Sequence, residues 1–384
     1  MWYLQGDTFL LIALFSLTVT ILRRLFPLRI VNILLPVIEA GIIFFIDSRL
    51  AVFYIVYIHL GLLLAHVLFK RVKNSGHTAR SKVLFALFSV VATIPLFLSR
   101  AEVFGIDLPF PAVSIGIAFQ MLKMIDAFYF VYYAGEPVKA LAYINYMLFL
   151  PVFTAGPIFR YRDFLKTYEN PLVPGSALFA DCFKRLVRGM FKKVVLVEIA
   201  LLILEHLLKV ESHWYLSMAV VVISYMLLYL DFSGYSDIAI AFGKVAGYGV
   251  PENFKKPLSA PTFSQFWRSW HATLSDWIRE HIYVVVAKKR LSKAVSGLIA
   301  FSTMVIMSLW HGFNRLYLIA GVYNGLLLLF ENLFSMTTVT RRKSRRSIYV
   351  LRCAAVNFMF GLNTLVFTVP PDKIVPILRG FLEF

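Results

Sequence analysis

Apolar residues along this chain gather into long unbroken runs, at about 8–22, 30–46, 50–69, 83–98, 111–134, 140–158, 194–208, 214–242, 294–312, 316–334 and 348–369. A run of this length matches the roughly 20 residues that a helix needs to cross a bilayer. The runs are continuous and do not alternate residue by residue, which argues against a barrel. The pattern predicts an all-α polytopic membrane protein of roughly 10–12 transmembrane or re-entrant helices.

The connections between runs carry the positive charge. Arg23, Arg24 and Arg29 follow the first run, and Lys70, Arg71, Lys73, Arg80 and Lys82 follow the third. Further groups are Lys184-Arg185, Lys192-Lys193, Lys288-Lys289-Arg290, and Arg341-Arg342-Lys343 with Arg345-Arg346. Basic loops stay in the cytoplasm, so the N-terminus is expected outside. Strict alternation then fails in the middle: if 111–134 and 140–158 both cross, the basic stretch from Arg160 to Lys193 falls outside. One of the two is therefore expected to be broken or re-entrant. Irregular backbone at membrane depth faces protein or a watery cavity, so a cavity is implied. No internal repeat is visible, which weakens a transporter architecture.

Composition supports the same class. Hydrophobic residues make up 59% of 384 and charged residues 16%, far from a soluble domain. The net charge of +18 is explained by topology, so no nucleic-acid partner is expected. Cys182 and Cys353 form no metal or redox spacing. The first run lacks a cleavage site and reads as a span, not a removable signal.

Residues 243–293 break the pattern. Phe263, Phe266, Trp267, Trp270, Leu274, Trp277 and Ile278 recur at steps of three and four, predicting one apolar helix face. Gln265, Arg268, Asp276 and Arg279 fall opposite. Such a helix lies in the interface or folds back into the protein. His271 falls on its apolar side, and His311 ends a long apolar run before Gly312. Ionisable groups at membrane depth point to function, and histidine moves protons near neutral pH. His59, His66, His206, His213 and His281 read as interfacial residues near span ends or loops, and His77 lies in a basic loop.

Asp231 opens the polar patch Asp231-Phe232-Ser233-Gly234-Tyr235-Ser236-Asp237, read either as a hydrated wall or as a structural network. Lys123 and Asp126 are three apart and are expected to pair. Two histidines without a third ligand make no metal site. No phosphate loop, dinucleotide fingerprint or nucleophile elbow is present. A general base without a protein nucleophile favours direct transfer, in which a substrate hydroxyl attacks an activated acyl group.

A set of ordered blocks identifies a resemblance. They are Ser114-Ile115-Gly116-Ile117-Ala118-Phe119-Gln120 with Asp126, Gly156-Pro157-Ile158-Phe159-Arg160, and Asp231 to Ala239. Next come Pro251-Glu252-Asn253-Phe254 with Pro257, then Phe266-Trp267-Arg268-Ser269-Trp270-His271, and Leu309-Trp310-His311-Gly312. In this order they resemble the membrane-bound O-acyltransferases, in the bacterial branch of the alginate O-acetylases and teichoic-acid D-alanyl transfer proteins. The likeness runs from about Ser114 to Gly325; before about residue 110 the aromatic signature of the alginate branch is missing. Phe159 stands where the teichoic branch has aspartate, and Ala272-Thr273 replace the usual apolar residue and serine.

The resemblance implies helices around a central tunnel. It divides a single membrane domain into N-terminal helices (1–110), a catalytic core (111–334), and a basic loop with a C-terminal span (335–384). It implies His311 and His271 as catalytic. Trp267, Trp270, Trp310, Asp231, Tyr235, Asn253 and Gln120 are read as tunnel walls, and Arg268 and Arg279 as contacts to an anionic donor. No bound cofactor or metal is expected. The donor is a cytoplasmic thioester, acyl-CoA or an acyl-carrier protein, and the acceptor a hydroxyl of an envelope polysaccharide, with acetyl as the leading acyl group. D-alanyl transfer to teichoic acid is the alternative. A proton-coupled transporter or flippase, or a scaffold for soluble enzymes, are readings of other classes. The expected location is the cytoplasmic membrane, among membrane lipids and envelope partner proteins.

Overall fold

The structure is a computed structural model that describes residues 6–100, 116–173, 175–210, 213–283 and 291–383. Ser114 and Ile115 of the first block, and Lys288-Lys289-Arg290, lie outside the described residues. Among those described the regular structure is entirely helical.

Seven helices are long and apolar enough to cross a membrane. They are α2 (Leu28–Ile46), α3 (Ser48–Ser75), α4 (Ala79–Leu98), α10 (Trp214–Val245), α13 (Lys293–His311), α14 (Arg315–Leu333) and α15 (Arg346–Thr368). Side-chain caps start four of them. Asp47 accepts from Arg49 and Leu50 N–H, and Thr78, Ser292 and Asn314 cap α4, α13 and α14. Their outer faces expose Val37, Phe44, Phe45, Ile306 and Leu351, an apolar surface suited to lipid. The remaining helices are α1 (Gly6–Leu25), α5 (Ile117–Ala134), α6 (Ala140–Leu148), α7 (Tyr161–Glu169), α8 (Ser176–Met190), α9 (Val197–Leu207), α11 (Phe263–Trp267), α12 (Ala272–Ile278) and α16 (Pro371–Gly380). The expected break in the middle falls in the run 140–158. There α6 stops at Leu148, and only a single 3-10 turn, Leu150–Val152, precedes the irregular chain to Arg160.

The chain forms two compact units. Unit 1 comprises residues 1–186 with 238–251, and unit 2 comprises 187–237 with 252–384. Unit 1 has a polar centre. Lys123 donates to the carbonyls of Tyr146 (3.0 Å) and Met147 (3.5 Å). Asp126 accepts from Tyr161 N–H at 2.6 Å and from the Tyr146 hydroxyl at 3.4 Å. The expected Lys123–Asp126 pair is thus replaced by separate bonds to other elements, because α6 ends at Leu148 and its last turn offers the bare carbonyls of Tyr146 and Met147 to the ammonium. His59 also departs from expectation: it lies in the middle of α3 and bonds the Ile55 carbonyl.

In unit 2 the chain from α8 runs into α9 through a π-helical turn, Phe191–Leu196. Consecutive residues on an α-helix point about 100° apart, and a π turn widens that geometry. Here both Lys192 and Lys193 reach α10. Lys192 meets Asp237 at 2.8 Å and Ser233 at 3.2 Å, and Lys193 pairs with Asp231. Arg188 also meets Asp237, at 3.1 Å. Gly234 makes the approach possible: a Cβ there would lie 2.9 Å from the Gly189 carbonyl oxygen. A buried apolar cluster from α9, α10, α15 and α16 closes this side of the unit, with Leu204, Val220, Leu365 and Ile377 at its centre.

Candidate active site

The segment between α10 and α13 was expected to form one amphipathic helix. It forms two, α11 and α12, separated at His271, whose φ of 44° and ψ of 49° are left-handed. A non-glycine residue rarely adopts that conformation, and doing so costs roughly 1–2 kcal/mol. Long-range backbone bonds hold it: Ala272 N–H donates to the Asn253 carbonyl (2.8 Å), and Lys255 N–H to that of Ser269 (2.8 Å). Most of the face assignment stands despite the break, with Ile278, Gln265 and Asp276 half-buried. Phe263, Phe266, Trp267, Trp270, Leu274 and Trp277 are buried, whereas Arg268 and Arg279 are exposed.

Glu331, an acid within the apolar helix α14, anchors the start of α11. Its carboxylate accepts from the N–H groups of Phe263 (2.5 Å) and Ser264 (2.8 Å) and from the Ser264 hydroxyl (2.8 Å). Negative charge at a helix N-terminus satisfies its free donors. Trp270 then stacks on Phe266 (5.6 Å between centroids) and packs against Phe360 (4.8 Å) and Tyr225 (5.8 Å). The buried indole N–H of Trp267 has no hydrogen-bond acceptor among the described residues.

His271 is 4% exposed and sits in a defined polar chain. Its Nδ1 lies 3.0 Å from Asn253 Oδ1, which also accepts from the Thr273 hydroxyl at 2.8 Å. Asn253 Nδ2 donates to Ser236 Oγ (3.2 Å), and Ser236 donates onward to the Phe232 carbonyl (2.9 Å). That order fixes the amide, so Oδ1 faces the histidine. An amide oxygen only accepts, so Nδ1 carries the ring proton and Nε2 remains the basic nitrogen. Phe232 closes one side of the ring edge-on at 4.7 Å. Burial, and secondarily the charge of His311, push the His271 pKa down from 6.5 to about 3. The ring is therefore neutral across the physiological range. Both histidines belong to unit 2.

His311 is the last residue of α13 and is exposed. Its ring packs against Trp310 at 4.7 Å and Phe367 at 5.8 Å. Gly312 follows because the Tyr317 ring occupies the space: a Cβ would lie 2.3 Å from it.

The other residues read from the sequence separate into groups. Trp267, Trp270, Trp310 and Asn253 share unit 2 with the histidines. Asp231 and Tyr235 lie on α10, where Asp231 is engaged by Lys193 and Tyr235 is buried. Gln120 belongs to unit 1 and donates to the Phe153 carbonyl at 2.9 Å. Arg279 pairs with Asp276 at 2.8 Å, and Arg268 faces outward. Thr273, Ser236 and Glu331 were not singled out as site residues. Ser236 falls in the polar patch Asp231 to Asp237, and Glu331, a lone acid in an apolar run, is the further signal. Among the described residues no group of three or more His, Cys, Asp or Glu side chains is placed to hold a metal.

Comparison with known proteins bears on this arrangement. The family model for MBOAT, the membrane-bound O-acyltransferase family, matches residues 43–369, well beyond the blocks that begin at Ser114. A probable alginate O-acetylase of Pseudomonas fluorescens is 29% identical over 281 residues, covering 72% of this chain and 56% of that protein. One from Pseudomonas aeruginosa is 30% identical over 232 residues, covering 60% and 44%. A teichoic acid D-alanyltransferase of Streptococcus thermophilus is 26% identical over 295 residues, covering 69% and 68%. The chain thus spans about half the length of the alginate relatives that it matches.

Proposed function

The chain belongs to the membrane-bound O-acyltransferase family, and on that premise we propose that it transfers an acyl group from a thioester donor to a hydroxyl. The single observation that carries this reading is a buried histidine, fixed by Asn253 as its Nδ1–H tautomer, in the same compact unit as an exposed histidine at a helix C-terminus. His311 takes the acceptor hydroxyl proton as the oxygen attacks the thioester carbonyl. The C–S bond breaks, and the proton passes to the departing thiolate, so no metal or protein-bound acyl group is required. His271 stays neutral through the cycle and orients the donor carbonyl or the acceptor oxygen. Trp267, with its uncommitted indole N–H, and Trp270 line the approach, and Arg268 and Arg279 lie where an anionic donor arm is met.

The acyl group proposed is acetyl and the acceptor an envelope polysaccharide, by analogy with the alginate O-acetylases. The similarity to teichoic acid D-alanyltransferases favours D-alanyl from a carrier protein as the second reading. Donor and carrier are placed on the cytoplasmic side, with the protein in the cytoplasmic membrane and its N-terminus outside. The test is ester formation by purified protein in liposomes. His311→Ala is expected to remove transfer of labelled acetyl or D-alanine while leaving folding intact. Ester formation at the wild-type rate would sink the assignment, and the label transferred decides between the two groups.

A further inference from the structure

Unit 2 carries a polar cavity that this chemistry does not use. α16 folds back over the ends of α9 and α10, burying Ile374 and Ile377 beside Leu204 and Val220. The cavity between these elements has a volume of about 470 Å³. Among the described residues its ionisable lining is Lys209, His213, Lys373, Arg379 and Glu383. Among the described residues Lys209, Lys373 and Arg379 make no ion pair and no side-chain hydrogen bond, and all three are exposed. Among the described lining residues the cations outnumber the one carboxylate, Glu383, and like charges repel one another, so an anion is favoured there.

Val220 and Ile377 join the cavity wall to the apolar cluster of the unit. The His311 ring packs on Phe367, in the last turn of α15, and α16 begins three residues after α15 ends. Leu316, five residues beyond His311, packs against the same apolar cluster as Ile374 and Ile377. We propose that this cavity is a docking subsite for an acidic polymer acceptor, taking its carboxylate or phosphate groups while hydroxyls farther along the chain reach His311. The inference rests on the acyl-transfer reading above.

Two features favour a polymer over a single anionic lipid headgroup. The volume is that of a small-molecule site, more than one phosphate fills. The cations also come in two sets on different elements, Lys209 and His213 on the α9–α10 connection and Lys373 and Arg379 on α16. That spread suits a repeating charge. Glu383 supplies an acceptor for a sugar or glycerol hydroxyl between them.

The test uses the full chain in detergent. The probes are a fluorescent uronate hexamer, a glycerol-phosphate hexamer and neutral maltohexaose. Lys373→Gln with Arg379→Gln is expected to weaken binding of both acidic hexamers roughly ten-fold, more at low salt, since exposed charge pairs contribute modestly and are screened. Lys373→Arg with Arg379→Lys should bind as wild type, as should the remote pair Arg80→Gln with Lys82→Gln. Unchanged affinity in the first variant, or equal binding of maltohexaose, overturns the subsite. So does loss of phosphatidylglycerol-vesicle binding with hexamer affinity intact, which marks a lipid site. His311→Ala should bind the acidic hexamers normally. Ester formation by that variant would refute the acyl-transfer reading without touching the binding result.

Discussion

Asn253 offers the sharpest test of the site. Its side chain is fully buried and joins three partners: it accepts from His271 Nδ1 (3.0 Å) and the Thr273 hydroxyl (2.8 Å), and it donates to Ser236 (3.2 Å). Asn253→Ala removes the acceptor shared by the His271 ring N–H and the Thr273 hydroxyl, and a buried donor left unsatisfied costs about 1–3 kcal/mol. Part of that loss is recovered by water entering the space, so a net loss of about 2–4 kcal/mol is expected. The effect on the reaction is larger in kind. Without Oδ1 the His271 proton is free to sit on either nitrogen, and the ring loses its orientation. Losing the partner that sets a catalytic histidine's tautomer typically lowers kcat by ~10²–10⁴-fold. Asn253→Asp keeps an acceptor on Nδ1 but adds negative charge, which favours the imidazolium. It should retain much of the rate at pH 8, with an acid limb that begins at higher pH than in the wild type, whose His271 protonates only near about 3. The assay is initial-rate acyl transfer in liposomes from pH 5 to 9, with melting temperature measured on each variant. A kcat for Asn253→Ala within three-fold of wild type, in a folded protein, refutes the tautomer argument.

Three further outcomes follow from the same geometry. Because the His271 pKa falls from 6.5 to about 3 on folding, the stability it contributes is present above pH 6.5 and is lost as pH falls toward 3. At pH 5 the loss is about 2 kcal/mol, so the melting temperature of His271→Gln should depend less on pH between 7.5 and 5 than that of the wild type; parallel curves would contradict it. Gly312→Ala drives a Cβ to 2.3 Å from the Tyr317 ring and should destabilise by about 1–3 kcal/mol, with Tyr317→Leu relieving the loss in the double variant. Glu331→Gln removes one acceptor from the start of α11 and should lower the melting temperature; an unchanged value would show that α11 is held by its aromatic contacts alone.

Much of the site was legible because its blocks are local. The tryptophans and His271 could be placed on an apolar face from spacing alone, and their burial agrees. The break at His271 was not legible: a left-handed histidine is imposed by backbone bonds to Asn253 and from Lys255, not by its neighbours in sequence. Lys123 and Asp126 show the converse, since helical spacing permits their pairing but the free carbonyls in the last turn of α6 and the first N–H of α7 outcompete it.

What the sequence determined by itself is the solvent and the class. Unbroken apolar runs, basic connections and an ordered set of blocks follow from the membrane's demand that backbone polar groups be satisfied within each span. What only the tertiary structure decided is partnership. The Nδ1 proton of His271, the carboxylate of Glu331 under α11, and the cations gathered around α16 depend on residues 18, 68 or more positions apart meeting at hydrogen-bond or Coulomb range. Local periodicity carries the direction of a side chain, but the identity of the group that it meets is fixed only when helices pack.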